Sequence, residues 1–261
     1  MCCFKRYTQT FVLPYSIDVS STQLQPKGRM KTAAFRLITE WVFDLDNTLY
    51  PRHADLFGQI DWNMTAYVER LTGLPKEKAR ELQKRLYREH GTTLNGLMHE
   101  YHIDPRDYLD RVHDIDYSRV EYNPVLGELI ASLPGRKHIF TNSDVRHAEN
   151  TLKALGIEPF FDSLFDIVAA EFEPKPARGS YEKFLRNHVI QPQEAAMFED
   201  MPRNLAVPKE MGMTTVLIIP RNDPTPVAEH WELAVQDNPH IDHIADDLND
   251  FLADVLQALN R

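Results

Sequence analysis

Cysteine is almost absent from this 261-residue chain: Cys2 and Cys3 are neighbours, and no other position holds one. Such a pair leaves no disulfide framework, so a reducing compartment, the cytoplasm, is the expected location. Glycine is scarce too, at 10 residues, and none of them forms a G-x-G-x-x-G or P-loop run. Nucleotide binding through a glycine-rich loop is therefore not indicated. A basic surplus is lacking: the formal net charge is -10, with no lysine–arginine footprint for a nucleic-acid polymer. No apolar run approaches the length that crosses a membrane, and Phe11-Val12-Leu13 is cut short by Pro14, which leaves no signal-peptide core. The eleven histidines include no H-E-x-x-H arrangement.

What remains is an ordinary globular composition, 43% hydrophobic and 26% charged, long enough for one large domain or a domain carrying an insertion. The chain is organised around Trp41-Val42-Phe43-Asp44-Leu45-Asp46-Asn47-Thr48-Leu49-Tyr50. The bulky run Trp41–Phe43 reads as the end of a buried strand, and it delivers two carboxylates one residue apart. Carboxylates leaving a buried strand are costly unless a metal or a reaction uses them. If the backbone stays extended, both side chains lie on one side, so that one attacks or binds metal while the other handles a proton.

After Tyr50 the pattern turns helical. Phe57, Ile60, Met64, Tyr67 and Leu71 form one stripe, residues 76–90 a second helix, and shorter helices follow around Leu94–Tyr101 and Pro105–Val112. Glu81 and Arg85 are spaced for a surface pair. From Asn123 strands and helices alternate. Asn123-Pro124 starts a helix, Lys137–Thr141 is a strand, and Asp144 caps a helix with the stripe Val145, Ala148, Leu152 and Leu155. Phe165–Ala169, Ala195–Phe198 and Thr214–Ile219 are further strands, and a last helix runs from about Asp246 to Leu259. This is the signature of an α/β fold with a doubly wound parallel sheet. Residues 1–39 are expected to be a poorly ordered N-terminal extension, 40–51 and 121–261 the core domain, and 52–120 an inserted helical domain.

In an open parallel sheet, ligands bind beyond the carboxyl ends of the strands. Asp44 and Asp46 leave the first strand, Thr141 and Asn142 the second, Glu199 and Asp200 the fourth, and Lys175 follows the third. Carboxylates for a hard divalent cation, with a hydroxyl and an ammonium for phosphoryl oxygens, make a site for Mg²⁺ and a phosphate.

In order along the chain, Asp44-Leu45-Asp46-Asn47-Thr48, Phe140-Thr141-Asn142-Ser143, Lys175-Pro176 and Glu199-Asp200 with Asn204 resemble the four motifs of the haloacid dehalogenase superfamily, over about residues 40–220. Thr141-Asn142-Ser143-Asp144, Glu173-Pro174-Lys175-Pro176 and Phe198-Glu199-Asp200 are most similar to the pyrimidine 5′-nucleotidases within it. The resemblance implies a Rossmann-like core with a small helical cap, and a Mg²⁺-dependent phosphomonoester hydrolase. Asp44 would be the nucleophile, forming an aspartyl-phosphate, and Asp46, with a raised pKa, the general acid and base. Lys175 would steady Asp44 and the phosphoryl oxygens, and Thr141 and Asn142 would cradle the phosphate. Asp44, the backbone carbonyl of Asp46, Asp200 and Glu199 would hold Mg²⁺, the last directly or through water. Specificity is expected in the cap, around Tyr87–Met98 and the loop near His53.

The partner implied is a small phosphate ester, with no nucleic-acid polymer and no membrane, and homodimerisation left open. Rival readings are a phosphatase or phosphomutase acting on a sugar phosphate or phosphoglycolate, a dehalogenase, and a catalytically silent binding protein. Asp46 counts against the dehalogenase, because carbon–halogen displacement has no leaving oxygen to protonate. Glu199 departs from the commoner aspartate at its position, and Pro208 falls early in the following helix.

Overall fold

The computed structural model describes residues 32–219 and 238–260. The expected extension up to residue 31 and the proline-rich segment from 220 to 237 lie outside the described residues. The elements are β1 (Glu40–Phe43), α1 (Leu56–Thr72), α2 (Lys76–His90), α3 (Thr93–Tyr101), α4 (Pro105–Val112), α5 (Pro124–Ser132), β2 (Arg136–Phe140), α6 (Val145–Leu155), β3 (Ser163–Phe165), α7 (Arg178–His188), β4 (Ala195–Glu199), α8 (Ala206–Met211), β5 (Thr214–Ile218), β6 (His243–Ala245) and α9 (Leu248–Leu259). The strands form one sheet in the order β3-β2-β1-β4-β5-β6. Every pairing is parallel. The doubly wound fold read from the sequence is the one observed.

β1 and β4 sit centrally and are buried at every position, as strands covered on both faces require. Phe43 stacks on Phe198 across that centre, ring centroids 4.6 Å apart, and Trp41 meets Phe198 at a tilt. Phe35, in a 3-10 helix at Thr32–Leu37, is fully buried and stacks on Trp41 while Phe251 of α9 meets it edge-on. Asn123 and Asp144 cap α5 and α6 by accepting the backbone N–H groups of Leu126 and His147.

Four local readings need correction. The third strand is Ser163–Phe165 rather than Phe165–Ala169. The carboxylate of Asp166 accepts the backbone N–H groups of Val145 and Ala169, which ends the ladder, and Ile167 leaves the sheet to pack with the helical insertion. β6 escaped the sequence reading because it is three residues long with one exposed in its middle. It is registered by Asp242 and Thr215, which exchange hydrogen bonds with each other's backbone N–H. Finally, Phe57, Leu71 and Val145 are exposed, and the inward faces of α1 and α6 use Thr65, His147 and Thr151 beside their apolar residues. Arg85 pairs with Glu89 and Glu100, and Glu81 with Lys78, in place of the expected Glu81–Arg85 pair.

Helices α1 to α4 surround a separate apolar cluster that includes Ile60, Tyr67, Val68, Leu86, Leu97 and Tyr108. The two chain crossings into this insertion are tied together. Arg119 meets Asp55 at 2.7 Å, and the side-chain amide of Gln59 bonds the backbone of Asp116 in both directions. None of the described helices is long and apolar enough to cross a membrane.

Candidate active site

β1 ends at Phe43, but the Asp44 N–H continues the ladder by donating to Phe198 O at 2.9 Å, so the first acid leaves the sheet in a fixed direction. Lys175 comes from the segment between β3 and α7. Asn142 pins it there: the Lys175 N–H donates to Asn142 Oδ1 at 2.8 Å, and Asn142 Nδ2 donates to Lys175 O at 3.1 Å. The Lys175 ammonium is 1% exposed and donates to Asp44 Oδ1 at 2.7 Å, Phe140 O at 2.8 Å and Glu199 Oε1 at 2.9 Å. All three of its protons are thus engaged. Thr48 Oγ1 donates to Asp44 Oδ2 at 3.0 Å.

Glu199 and Asp200 leave β4 on the other side of Asp44. Glu199 has both oxygens occupied: Oε1 also accepts from Asn204 Nδ2 at 2.6 Å, and Oε2 accepts the Met201 N–H at 2.8 Å. Asp200 Oδ2 accepts from Arg52 Nη2 at 3.0 Å. Asp44, Glu199 and Asp200 each place an oxygen within 4.8 Å of the other two.

This cluster is short of positive charge. Burial raises the Asp44 carboxyl to about 7; Lys175 opposes the rise, and Glu199 and Asp46 add to it. Asp200 is pushed up by burial and then by Glu199 and Asp44, against the pull of Arg52. Burial alone would lower the Lys175 ammonium, yet Asp44 and Glu199 hold it above its ordinary value. Three buried carboxylates, whose oxygens can each accept more than one partner, fit a hard divalent cation.

Asp46 lies two residues on in a different environment. The backbone turns here, with Asn47 in the left-handed region at φ 61°, and Thr48 and Leu49 N–H both donate to Leu45 O. The turn follows Asp46, and both carboxylates border one cavity, but their hydrogen-bond partners differ. Asp46 Oδ1 accepts from Tyr50 OH at 2.5 Å and lies 2.7 Å from His147 Nε2, while Oδ2 accepts from Ser143 Oγ at 2.7 Å. Burial would raise this carboxyl, but the His147 imidazole and the hydrogen bonds from His147, Tyr50 and Ser143 hold it well below the usual carboxylate range. The direction is opposite to the raised pKa expected for Asp46.

Thr141 is buried at the end of β2, where its Oγ1 accepts the Ser143 N–H. Thr141, Asn142, Asp44, Asp46, Lys175, Glu199 and Asp200 all border one cavity of about 310 Å³ whose other wall is the helical insertion. Tyr87 and Leu94 of that wall fall in the stretch where specificity was expected. Arg203, after β4, lies over the Tyr87 ring with 4.9 Å to its centroid and donates to its hydroxyl, joining core and insertion at the cavity edge.

The sequence reading missed Arg52, Tyr50, Ser143 and His147. Tyr50 and Ser143 fall within quoted stretches but were given no role, and Arg52 and His147 carried no signal, because their partners Asp200 and Asp46 lie 148 and 101 residues away.

A family description, haloacid dehalogenase-like hydrolase, matches residues 41–212. The chain belongs to that family. It is 26% identical over 193 residues to phosphate metabolism protein 8 of Saccharomyces cerevisiae, covering 67% of this chain and 60% of that relative's length. Among solved structures it resembles a haloacid dehalogenase-superfamily phosphatase from Thermococcus onnurineus, with 17% identity, a TM-score of 0.56, and 84% of this chain and 98% of that one covered. It also resembles an L-2-haloacid dehalogenase from Xanthobacter autotrophicus, with 16% identity, a TM-score of 0.50 and 83% and 97% coverage. Likenesses this remote carry the fold, and the chemistry has to be read from the site.

Proposed function

We propose that this hydrolase is a Mg²⁺-dependent phosphomonoesterase acting through an aspartyl-phosphate on Asp44, with a pyrimidine nucleoside 5′-monophosphate as substrate. The observation that carries the proposal is the charge-deficient cluster of Asp44, Glu199 and Asp200 around one fully engaged lysine, at the edge of a cavity walled by core and insertion. A divalent cation would supply the positive charge that Lys175 and Arg52 leave short, and would offset part of the charge of an incoming phosphate ester. Asp44, the Asp46 backbone carbonyl and Asp200 would hold the Mg²⁺, and Glu199 would brace Lys175 and the Met201 turn. When bound, the ion neutralises charge between nucleophile and phosphate and polarises the phosphoryl oxygens.

The chain's own groups then divide the work. An Asp44 oxygen attacks phosphorus as the ester P–O bond breaks, and Lys175 favours ionisation of the nucleophile and holds it in place. Thr141 and Asn142 border the cavity where the phosphoryl group must sit. The leaving oxygen takes a proton from Asp46, which afterwards accepts one from the water that hydrolyses the acyl-phosphate. A carboxylate held ionised is first of all a base. For the acid step a proton must reach it, and His147, 2.7 Å away, is the group placed to supply one. The helical insertion acts as the cap that excludes bulk water from the intermediate.

The preference for a pyrimidine nucleotide rests on the motif resemblance and on a cavity of a size suited to a small ester, edged by the Arg203–Tyr87 pair. The test is phosphate release by the full chain, with Mg²⁺ or with EDTA, from UMP, CMP, AMP, glucose 6-phosphate and phosphoglycolate, together with chloride release from 2-chloropropionate. UMP and CMP should be hydrolysed fastest, and only with Mg²⁺. A clear preference for a sugar phosphate or phosphoglycolate would reassign the substrate. Chloride release without metal would make the protein a dehalogenase, and silence on every compound would leave a binding protein.

A further inference from the structure

Arg52 stands on the segment that leads from the Asp44 loop into the helical insertion, in a 3-10 turn at Arg52–Ala54 directly after Pro51. Its side chain folds back toward the sheet, is only 14% exposed, and reaches Asp200 with Nη2–Oδ2 at 3.0 Å. Asp200 is itself a member of the buried carboxylate trio. Arg52 borders the same cavity as Asp44, Asn142 and Lys175. Its Nε–H is buried and has no hydrogen-bond partner among the described residues. A buried donor left unmade costs about 1–3 kcal/mol, so its persistence beside a reactive cavity calls for an acceptor that arrives from outside.

The chemistry of that acceptor follows from the donor. A guanidinium presents several N–H groups in a rigid planar fork, matched to the oxygens of a phosphate or carboxylate. One arm is committed to Asp200, and the residue borders the cavity. We propose that Arg52 is a phosphate ligand of this site: it holds Asp200 in the ligand-free protein, donates to the phosphate of the bound ester, and competes with the metal ion for the carboxylate cluster. This rests on the phosphatase reading above and adds a cationic residue outside the recognised motifs. Removing Arg52 therefore moves two affinities in opposite directions. The metal should bind more tightly, having lost a rival cation, and the phosphate more weakly, having lost a donor.

The test is calorimetric titration of Mg²⁺ alone, and of inorganic phosphate at saturating Mg²⁺, into the full-length parent and the Arg52→Met, Arg52→Lys and Lys84→Met variants. Lys84 borders the same cavity but is already paired with Asp61 at 2.9 Å, so its loss controls for charge alone. Arg52→Met should weaken phosphate binding by about tenfold or more, the usual size for a charge-assisted hydrogen bond, and tighten Mg²⁺ by about threefold. Arg52→Lys keeps the charge without the fork. It should bring Mg²⁺ affinity back toward the parent value while phosphate stays weakened, and this separates geometry from charge even if the methionine variant fails to fold. Unchanged phosphate affinity in both Arg52 variants overturns the inference. So does a Lys84→Met variant that reproduces both shifts. A parent that binds neither Mg²⁺ nor phosphate removes the phosphatase reading and this inference together, whereas a parent that binds both and is indifferent to Arg52 removes the inference alone.

Discussion

Asp44 and Asp46 are separated by one residue, yet they belong to two unlike regions of the molecule. Around Asp44 the carboxylates outnumber the cations: Lys175 serves both Asp44 and Glu199, and Arg52 serves Asp200. Around Asp46 every contact is a donor, from Tyr50, Ser143 and His147. Burial pushes both carboxyls up: at Asp44 it prevails over Lys175, to about 7, whereas at Asp46 His147 and the hydrogen bonds from His147, Tyr50 and Ser143 overcome it. The first region is left unbalanced until ligands arrive. The second is complete and holds its carboxylate in place. Residual imbalance marks where something binds, and satisfaction marks a group positioned to move a proton.

The largest effect should come from breaking the unbalanced region at its centre. Asp44→Asn retains the Lys175 contact through its amide oxygen but cannot form an acyl-phosphate, so phosphate release should fall by about a thousandfold or more. A variant within tenfold of the parent would take the nucleophile role from Asp44.

The complete region should break less severely. His147→Ala removes one of the three partners that depress Asp46, leaving burial to raise its pKa. We expect kcat to fall by about tenfold to a hundredfold, as for partial loss of general acid–base catalysis, with KM little changed. The acidic limb of the kcat–pH profile should move to higher pH. An unshifted profile with a proportional loss of folded protein would make His147 structural only.

The smallest effect is on stability, and its sign follows from the same contrast. Asp44 has its pKa raised on folding, so its contribution is fully present below the unfolded value of about 3.9 and is lost as pH rises through about 7. Asp46 is depressed, so its contribution is present above about 3.9 and is lost only as pH falls below that. The two windows are separate. Urea melts of the metal-free protein from pH 5 to pH 8 should therefore show the parent losing about 2–4 kcal/mol relative to Asp44→Asn, and Mg²⁺ should abolish the difference. Parallel curves for the two proteins would mean that Asp44 is not raised.

Much of this was legible beforehand. The four motifs stand on strand ends or just after them, and strand alternation with apolar runs was enough to place Asp44, Thr141, Lys175 and Asp200 along one edge of a parallel sheet. The misreadings were all local competitions settled at a distance. Phe165–Ala169 looks like a strand by apolar content, but the Asp166 carboxylate captures two backbone N–H groups and Ile167 finds a better burial site among the insertion's helices. The β6 strand has too few residues to register as a pattern and exists because Asp242 and Thr215 fix it beside β5.

By itself the sequence determined the sheet, the insertion and the identity of the acids and the lysine, because hydrophobic periodicity and residue chemistry are local properties of the chain. Tertiary structure alone decided how those groups are charged. A carboxyl's ionisation depends on which donors and charges lie within a few ångströms, and here those neighbours come from remote segments: Lys175 to Asp44, Arg52 to Asp200, His147 to Asp46. The string Asp44-Leu45-Asp46 names two acids, and only the fold makes them opposites.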